Sequence, residues 1–95
     1  MKIYSGDRTI DGVQVTVDGA PLDTGERHRR YSRNGFEWSY EGPEPSQLAF
    51  ALLLDHLGDP ARAEALHTQF MHEVVANLAN DWELTSADID AALAG

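Results

Sequence analysis

The chain has 95 residues, of which 42% are hydrophobic and 24% are charged, so it can form one small domain with a single core and is too apolar for general disorder. It contains no cysteine, which excludes a disulfide framework, a thiolate metal site and a thiol nucleophile. The formal net charge is −9, and residues 1–33 hold six basic against five acidic side chains (+1), whereas residues 34–95 hold one against eleven (−10).

The N-terminal residues carry the pattern of a β-hairpin followed by a short edge segment. Strands are predicted for Lys2–Ile10 and Val13–Val17, with Asp11-Gly12 as the tight turn between them. Asp18-Gly19 marks a second turn. Pro21 restricts the next segment to a short edge strand, because proline has no backbone N–H to donate to a neighbouring strand.

Residues 24–34 show no apolar periodicity and are predicted to form a basic, mobile loop. Its candidate binding residues are Arg27, Arg29, Arg30 and Arg33. A guanidinium group presents planar pairs of donors that match the carboxylates or phosphates of a partner. The open alternative is a solvated loop that balances local acidic residues.

Residues 36–40 have the alternation of a half-buried strand. Phe36, Trp38 and Tyr40 alternate with polar residues, which predicts three aromatic rings on one buried face. The same rings would suit base stacking if they were exposed beside basic residues. Neighbouring acidic side chains would repel phosphate, so core packing is favoured.

The C-terminal half is predicted to contain a helical hairpin and a last short helix. The first helix is predicted to have Pro45 in its first turn and to end at Leu57. Gly58-Asp59-Pro60 ends it and starts a second helix, which is predicted to continue to Leu78. Trp82 and Leu84 lie in an extended segment, and Thr85 is predicted to cap the last helix. The predicted fold is a single α+β domain over residues 1–95, with a small antiparallel sheet packed on the helices.

No catalytic motif is present in the sequence. It lacks a phosphate-binding loop, a nucleophile elbow, a zinc helix and a dinucleotide fingerprint. Asp55 and His56 are adjacent on a helix and point about 100° apart, which favours structural roles. His67 and His72 are five residues apart and do not present two nitrogens to one metal. We therefore predict no catalytic residue, no metal site and no cofactor.

The pattern of the whole chain resembles a family of small uncharacterised bacterial and bacteriophage domains. The resemblance rests on the turn at residues 15–22, the Gly35-Phe36-Glu37-Trp38 segment with Tyr40 and Gly42, the Pro45–Ala49 helix start, Asp55, and Trp82 followed by Ile89. The resemblance implies an accessory protein of phages or other mobile elements and gives no reaction.

The acidic charge leads to a hypothesis about function. An acidic surface favours approach to a basic partner, although acidity also serves solubility. We expect a non-enzymatic protein that inhibits a host protein, such as a defence protein, or a nucleoprotein complex by covering its basic surface. The candidate acidic residues are Glu37, Glu41, Glu44, Asp81, Glu83, Asp88 and Asp90.

Two alternatives stay open: a nucleic-acid-contacting accessory that uses residues 27–33, and a small hydrolase with a dispersed site. No apolar stretch approaches the roughly 20 residues that span a bilayer, and the first residues do not resemble a secretory signal. We therefore expect a cytoplasmic protein with no membrane partner. The net negative charge disfavours adhesion to nucleic acid, so no direct nucleic-acid partner is expected.

Overall fold

The computed structural model describes residues 1–94 and has an α+β fold, as predicted, in which a four-stranded antiparallel sheet packs with one face on helices. The strands, in the spatial order β3-β2-β1-β4, are β1 (Ile3–Thr9), β2 (Gly12–Val17), β3 (Ala20–Pro21) and β4 (Trp82–Thr85). The helices are α1 (Pro43–Leu57), α2 (Pro60–Glu73) and α3 (Ser86–Ala94), with a short 3₁₀ helix at Val75–Asn77. None of these helices combines the length and apolar character needed to cross a bilayer.

The N-terminal hairpin forms with its turn one residue earlier than predicted. Thr9 pairs with Gly12, so Ile10-Asp11 makes the turn and Gly12 already belongs to β2. The second turn lies at Asp18-Gly19 as predicted, where both residues have positive φ angles of 50° and 85°. Such angles suit a two-residue turn between antiparallel strands, and they lead directly into the short β3.

The fourth strand comes from the C-terminal segment and not from residues 36–40. β4 pairs antiparallel with β1, and Trp82 lies opposite Gly6. A Cβ atom at Gly6 would lie 2.3 Å from the Trp82 ring, so only glycine lets the indole cover β1 at this point. Trp82 itself is buried. The predicted extended segment around Trp82 is therefore an integral strand.

The predicted strand at residues 36–40 is wrong because the backbone turns at both of its ends. Gly35 and Ser39 have positive φ angles of 80° and 76°, which interrupt an extended conformation. Phe36 and Trp38 still enter the core, as their alternation predicts. Tyr40 is 45% exposed, so the third ring does not share their buried face.

The connection between the two helices of the hairpin lies where its capping residues predict. Gly58 follows α1 in the left-handed conformation with φ of 69°, and its N–H donates to the carbonyl of Leu54. The Asp59 side chain accepts from the N–H groups of Ala61 and Arg62 at the start of α2. Helix α1 begins at Pro43, so Pro45 lies in its first turn, as predicted.

Helix α2 ends five residues earlier than predicted because side chains take its last carbonyl groups. The Asn77 amide donates to the carbonyls of His72 and Glu73. The Ser39 N–H donates to the carbonyl of Val75, and the Ser39 hydroxyl donates to that of Leu78. Residues 35–42 are thereby attached to the end of the hairpin.

Helix α1 supplies more of the buried core than any other element. Four of its large apolar residues, Leu48, Phe50, Leu52 and Leu53, have no exposed surface. The predicted common core of Leu53, Phe70 and Trp38 is confirmed, since all three belong to one buried cluster.

Candidate functional site

One face of the sheet is open to solvent, and we call it the open sheet face. Residues directly opposite each other on antiparallel strands point to the same side of a sheet. Tyr4, Val15 and Trp82 are buried against the helices, so their strand neighbours point outward. The open sheet face consists of the side chains of Ile3, Ser5, Asp7, Thr9, Gln14, Thr16, Glu83 and Thr85.

Carboxylates on or beside the open sheet face have no internal partner. Asp7 lies opposite Gln14 and Glu83 lies opposite Ser5, and Asp81 directly precedes β4 in the chain. All three acidic side chains are exposed. Within residues 1–94, no side chain forms a hydrogen bond or an ion pair with them. The face contains no basic residue and therefore offers unneutralised negative charge.

We call residues 36–40 the aromatic segment. The acidic residues in and next to it have partners within the molecule. The Glu37 carboxylate lies 2.8 Å from an Arg8 guanidinium nitrogen, and Glu41 lies 2.7 Å from Nδ1 of His72. These carboxylates have close neighbours within the molecule, so they do not form a free surface comparable with the open sheet face.

Glu44 is held by two hydroxyl groups. It accepts a hydrogen bond from the Ser32 hydroxyl at 3.1 Å and another from the Tyr40 hydroxyl at 3.2 Å. Partial burial and the adjacent Glu44 carboxylate raise the pKa of the Tyr40 phenol. Glu44 therefore joins residues 24–34 and the aromatic segment to the first turn of α1.

The C-terminal acidic residues are divided between free and structural roles. Asp88 accepts from the N–H of Thr85 at 2.9 Å while its own N–H donates to the Thr85 hydroxyl at 3.1 Å. This reciprocal pair confirms Thr85 as the cap of α3. Asp90 lies 2.6 Å from Nε2 of His56. Only Asp81 and Glu83 of this group remain unpaired among the described residues.

Residues 24–34, which we call the arginine loop, are fastened by one buried side chain. Gln47 has no exposed surface, and its oxygen accepts from the N–H groups of Tyr31 at 2.7 Å and Ser32 at 3.3 Å. Its amide nitrogen donates to the carbonyls of Thr24 at 2.7 Å and Arg29 at 3.1 Å. Four backbone groups of the predicted mobile loop are thus hydrogen-bonded to one buried side chain.

The four arginines of this loop are all exposed but have different partners. Arg29 lies 2.8 Å from Glu64. Arg30 lies 3.7 Å from Glu26. Arg27 and Arg33 have no hydrogen-bonding or ion-pair partner in the part of the chain that the structure describes.

A cleft of about 470 Å³ lies between the arginine loop and the end of α1. Its lining residues are Asp23, Arg27, His28, Ala51, Leu54, Asp55, Gly58 and Pro60.

Asp55 accepts from the Lys2 amine at 3.0 Å and from the Tyr4 hydroxyl at 2.7 Å. His56 contacts Asp90 instead, so the two adjacent residues have different partners. Among residues 1–94, no three acidic or histidine side chains converge to hold a metal ion.

Arg8 is the residue that sequence reasoning missed. One terminal nitrogen donates to Glu37 and to the carbonyl of Trp38, both at 2.8 Å, and the other donates to the side-chain oxygen of Asn80. Its guanidinium carbon lies 4.8 Å from the centre of the Trp38 ring. A signal was present in the sequence, since Arg8 shares the alternation of Tyr4 and therefore points to the inner face of β1.

Comparison with known proteins gives the family of the chain. No curated protein and no solved structure matches it. A model of a family of unknown function, DUF6166, matches residues 4–95 and so includes every strand, every helix and the open sheet face from Tyr4 onward. The chain therefore belongs to the family of unknown function DUF6166.

Proposed function

We propose that this domain is a non-enzymatic binding protein that docks through its open sheet face on a basic surface of another protein or nucleoprotein complex. The observation that carries the proposal is the group of unpaired carboxylates formed by Asp7, Asp81 and Glu83. A partner that supplies lysine or arginine side chains would complement this charge.

The geometry of the open sheet face supports the proposal in two ways. Because Asp7 and Glu83 have no internal partner, a partner cation replaces only water and breaks no existing ion pair. The exposed Ile3, with 43% of its surface accessible, adds an apolar contact at one end of the face. The carboxylates would then lie at the polar rim of an interface, where charged groups are tolerated, and Ile3 would supply apolar contact area.

The narrower form of the proposal concerns the kind of partner. The resemblance of the sequence to small phage and bacterial domains supports a cytoplasmic accessory protein of a phage or mobile element. In this form the domain inhibits a host protein, such as a defence protein, by covering a basic surface that would otherwise contact nucleic acid. The net charge of −9 supports competition with a polyanion for such a surface.

The test is a comparison of two double variants with the same change in charge. The immobilised domain is used to capture partners from bacterial lysate at low and high salt. Asp7→Asn with Glu83→Gln removes charge from the open sheet face, whereas Glu64→Gln with Glu73→Gln removes it from exposed positions of α2. We expect the first variant to lose the salt-sensitive capture and the second to retain it.

Several results would contradict the proposal. Equal loss of capture by the two variants would show that only net charge matters. Capture that persists in the Asp7 and Glu83 variant would place the interface elsewhere on the molecule.

A further inference from the structure

We propose that the arginine loop contains a binding site for a single phosphate group, free or carried as a phosphomonoester. The site is a polar recess of about 440 Å³ lined by Arg30, Tyr31, Ser32 and Arg33. None of its lining residues belongs to the open sheet face. This inference is therefore independent of the proposed function.

The two arginines supply donors that phosphate oxygens match. The Nε group of Arg30 donates to the carbonyl of Ser32 at 3.2 Å, which orients the side chain and leaves its two terminal nitrogens for a ligand. Arg33 forms no hydrogen bond or ion pair with any described residue. Guanidinium groups bind phosphate oxygens in bidentate geometry, and no carboxylate lines the recess.

The backbone between the two arginines is held in place before any ligand arrives. Gln47 accepts from the N–H groups of Tyr31 and Ser32, the two residues between Arg30 and Arg33. The Ser32 hydroxyl also accepts from the N–H of Asn34 at 3.0 Å. Because the loop is already ordered, binding has less backbone entropy to remove than binding to a flexible loop would have.

The surroundings favour one phosphate group over a nucleic-acid strand. Glu26 lies 3.7 Å from Nε of Arg30, and Glu44 lies 3.1 Å from the Ser32 hydroxyl, so carboxylates flank the recess. Phosphates adjacent to the bound one would meet this negative charge, and the net charge of the domain adds to the repulsion. A terminal phosphate has no such neighbouring phosphates, and the exposed residues Arg30 and Arg33 both line the recess that would receive it.

The test is a titration of the full chain with inorganic phosphate, followed by amide resonances in ¹H–¹⁵N spectra at constant ionic strength. We expect saturable shifts at residues 30–34. Arg30→Gln and Arg33→Gln should each weaken binding about two- to fivefold, as expected for the loss of one exposed ion pair. Arg62→Gln is the matched control, because Arg62 is exposed on α2 and has no partner within residues 1–94.

The same experiment contains the outcomes that would overturn the site. Linear, unsaturable shifts, or equal shifts with chloride or acetate, would show that no phosphate site exists. Equal weakening by Arg62→Gln would mean that only net charge matters. Phenyl phosphate should bind as well as inorganic phosphate if a phosphomonoester fits. If an oligonucleotide binds more tightly than either and depends on the same arginines, the loop contacts a strand and the inference is wrong.

Discussion

The helical hairpin of α1 and α2 and the irregular segment at residues 22–42 both contribute to one core, but different bonds hold them. In the hairpin, backbone groups pair within each helix, and side chains are free to pack. In the irregular segment, most backbone groups cannot pair with a regular neighbour. Two distant side chains, Gln47 and Arg8, satisfy several of them.

This difference predicts how each region responds to a single substitution. Loss of an apolar side chain from the hairpin leaves a cavity but no unpaired backbone group. Loss of Gln47 or Arg8 leaves backbone carbonyls or N–H groups without a protein partner, and a buried group in that state is costly. Damage to the hairpin should therefore lower global stability, whereas damage to these two side chains should first loosen the irregular segment.

The largest effect is expected for Leu53→Ala in the hairpin. Leu53 is fully buried, and truncation of such a leucine typically costs about 2–5 kcal/mol of unfolding free energy. That is a large fraction of the stability of a small domain. Urea denaturation measures the change. Leu66→Ala, at a half-buried position of α2, should cost clearly less, and equal losses for the two variants would contradict the assigned core.

The next effect tests the irregular segment through Gln47→Leu. The substitution keeps a similar side-chain volume but leaves the four backbone partners of Gln47 unpaired. Each unsatisfied buried group costs about 1–3 kcal/mol. Because entering water can hydrogen-bond some of these groups, we expect a total loss of at least about 2 kcal/mol. Amide hydrogen exchange should accelerate at residues 24–34 before it accelerates in the hairpin.

Gln69→Leu is the matched control for Gln47→Leu. Gln69 is exposed on α2 and donates only to Glu73, so its loss should leave both exchange and stability nearly unchanged. If Gln47→Leu accelerates exchange equally in the loop and in the hairpin, the two regions form one cooperative unit. The contrast between them would then be wrong.

The sequence predicted the hairpin better than the irregular segment for a physical reason. Gly58, Asp59 and Thr85 cap helices through local backbone geometry, which a few consecutive residues are enough to predict. The strand predicted at residues 36–40 failed because the backbone turns at Gly35 and Ser39, and β1 pairs instead with β4, which lies more than 70 residues away along the chain. Alternation indicates which residues of a segment are buried, but it does not identify the strand with which that segment pairs.

The candidate sites were predictable only in part for the same reason. Composition indicated an acidic C-terminal half, and Asp81 and Glu83 are indeed free within the described residues. The partners of Glu37 and Glu41 are Arg8 and His72, which lie about 30 residues away along the chain. Such pairings depend on the folded topology, so the charge pattern alone does not separate free carboxylates from engaged ones.

A smaller effect is expected for Arg8→Met, which keeps part of the side-chain volume. The variant loses charge-assisted hydrogen bonds to Glu37 and to the Trp38 carbonyl, and it loses the cation–π contact with the Trp38 ring. Partly exposed interactions of these kinds together contribute about 1–3 kcal/mol. Tryptophan emission should shift to longer wavelength, because Trp38 has no exposed surface in the intact protein.

Arg8→Lys separates charge from geometry in the same experiment. Lysine keeps the positive charge but does not present two terminal nitrogens in one plane, so the loss should be intermediate. If Arg8→Lys behaves like the original protein, charge alone holds the aromatic segment. If Arg8→Met leaves the emission unchanged, Arg8 does not fasten the segment to the sheet.

The smallest effect at neutral pH concerns the hydrogen bond that joins Tyr4 of β1 to Asp55 of α1. Burial, followed by the hydrogen bond to Asp55, raises the pKa of Tyr4 above its ordinary value of 10.0. Below pH 10 both the folded and the unfolded chain keep the phenol proton. Above pH 10 the unfolded chain releases it while the folded chain retains it, so stability falls as pH rises.

Tyr4→Phe removes this titration together with the hydrogen bond. We expect the variant to be less stable at pH 8, by about 1 kcal/mol for the lost hydrogen bond, and to lose less additional stability between pH 10 and pH 11. Urea midpoints at these pH values measure both changes. Tyr40→Phe is the control, since Tyr40 is half-exposed and should alter the alkaline loss much less. Parallel pH dependences of the original protein and Tyr4→Phe would show that the Tyr4 hydroxyl does not couple the sheet to α1.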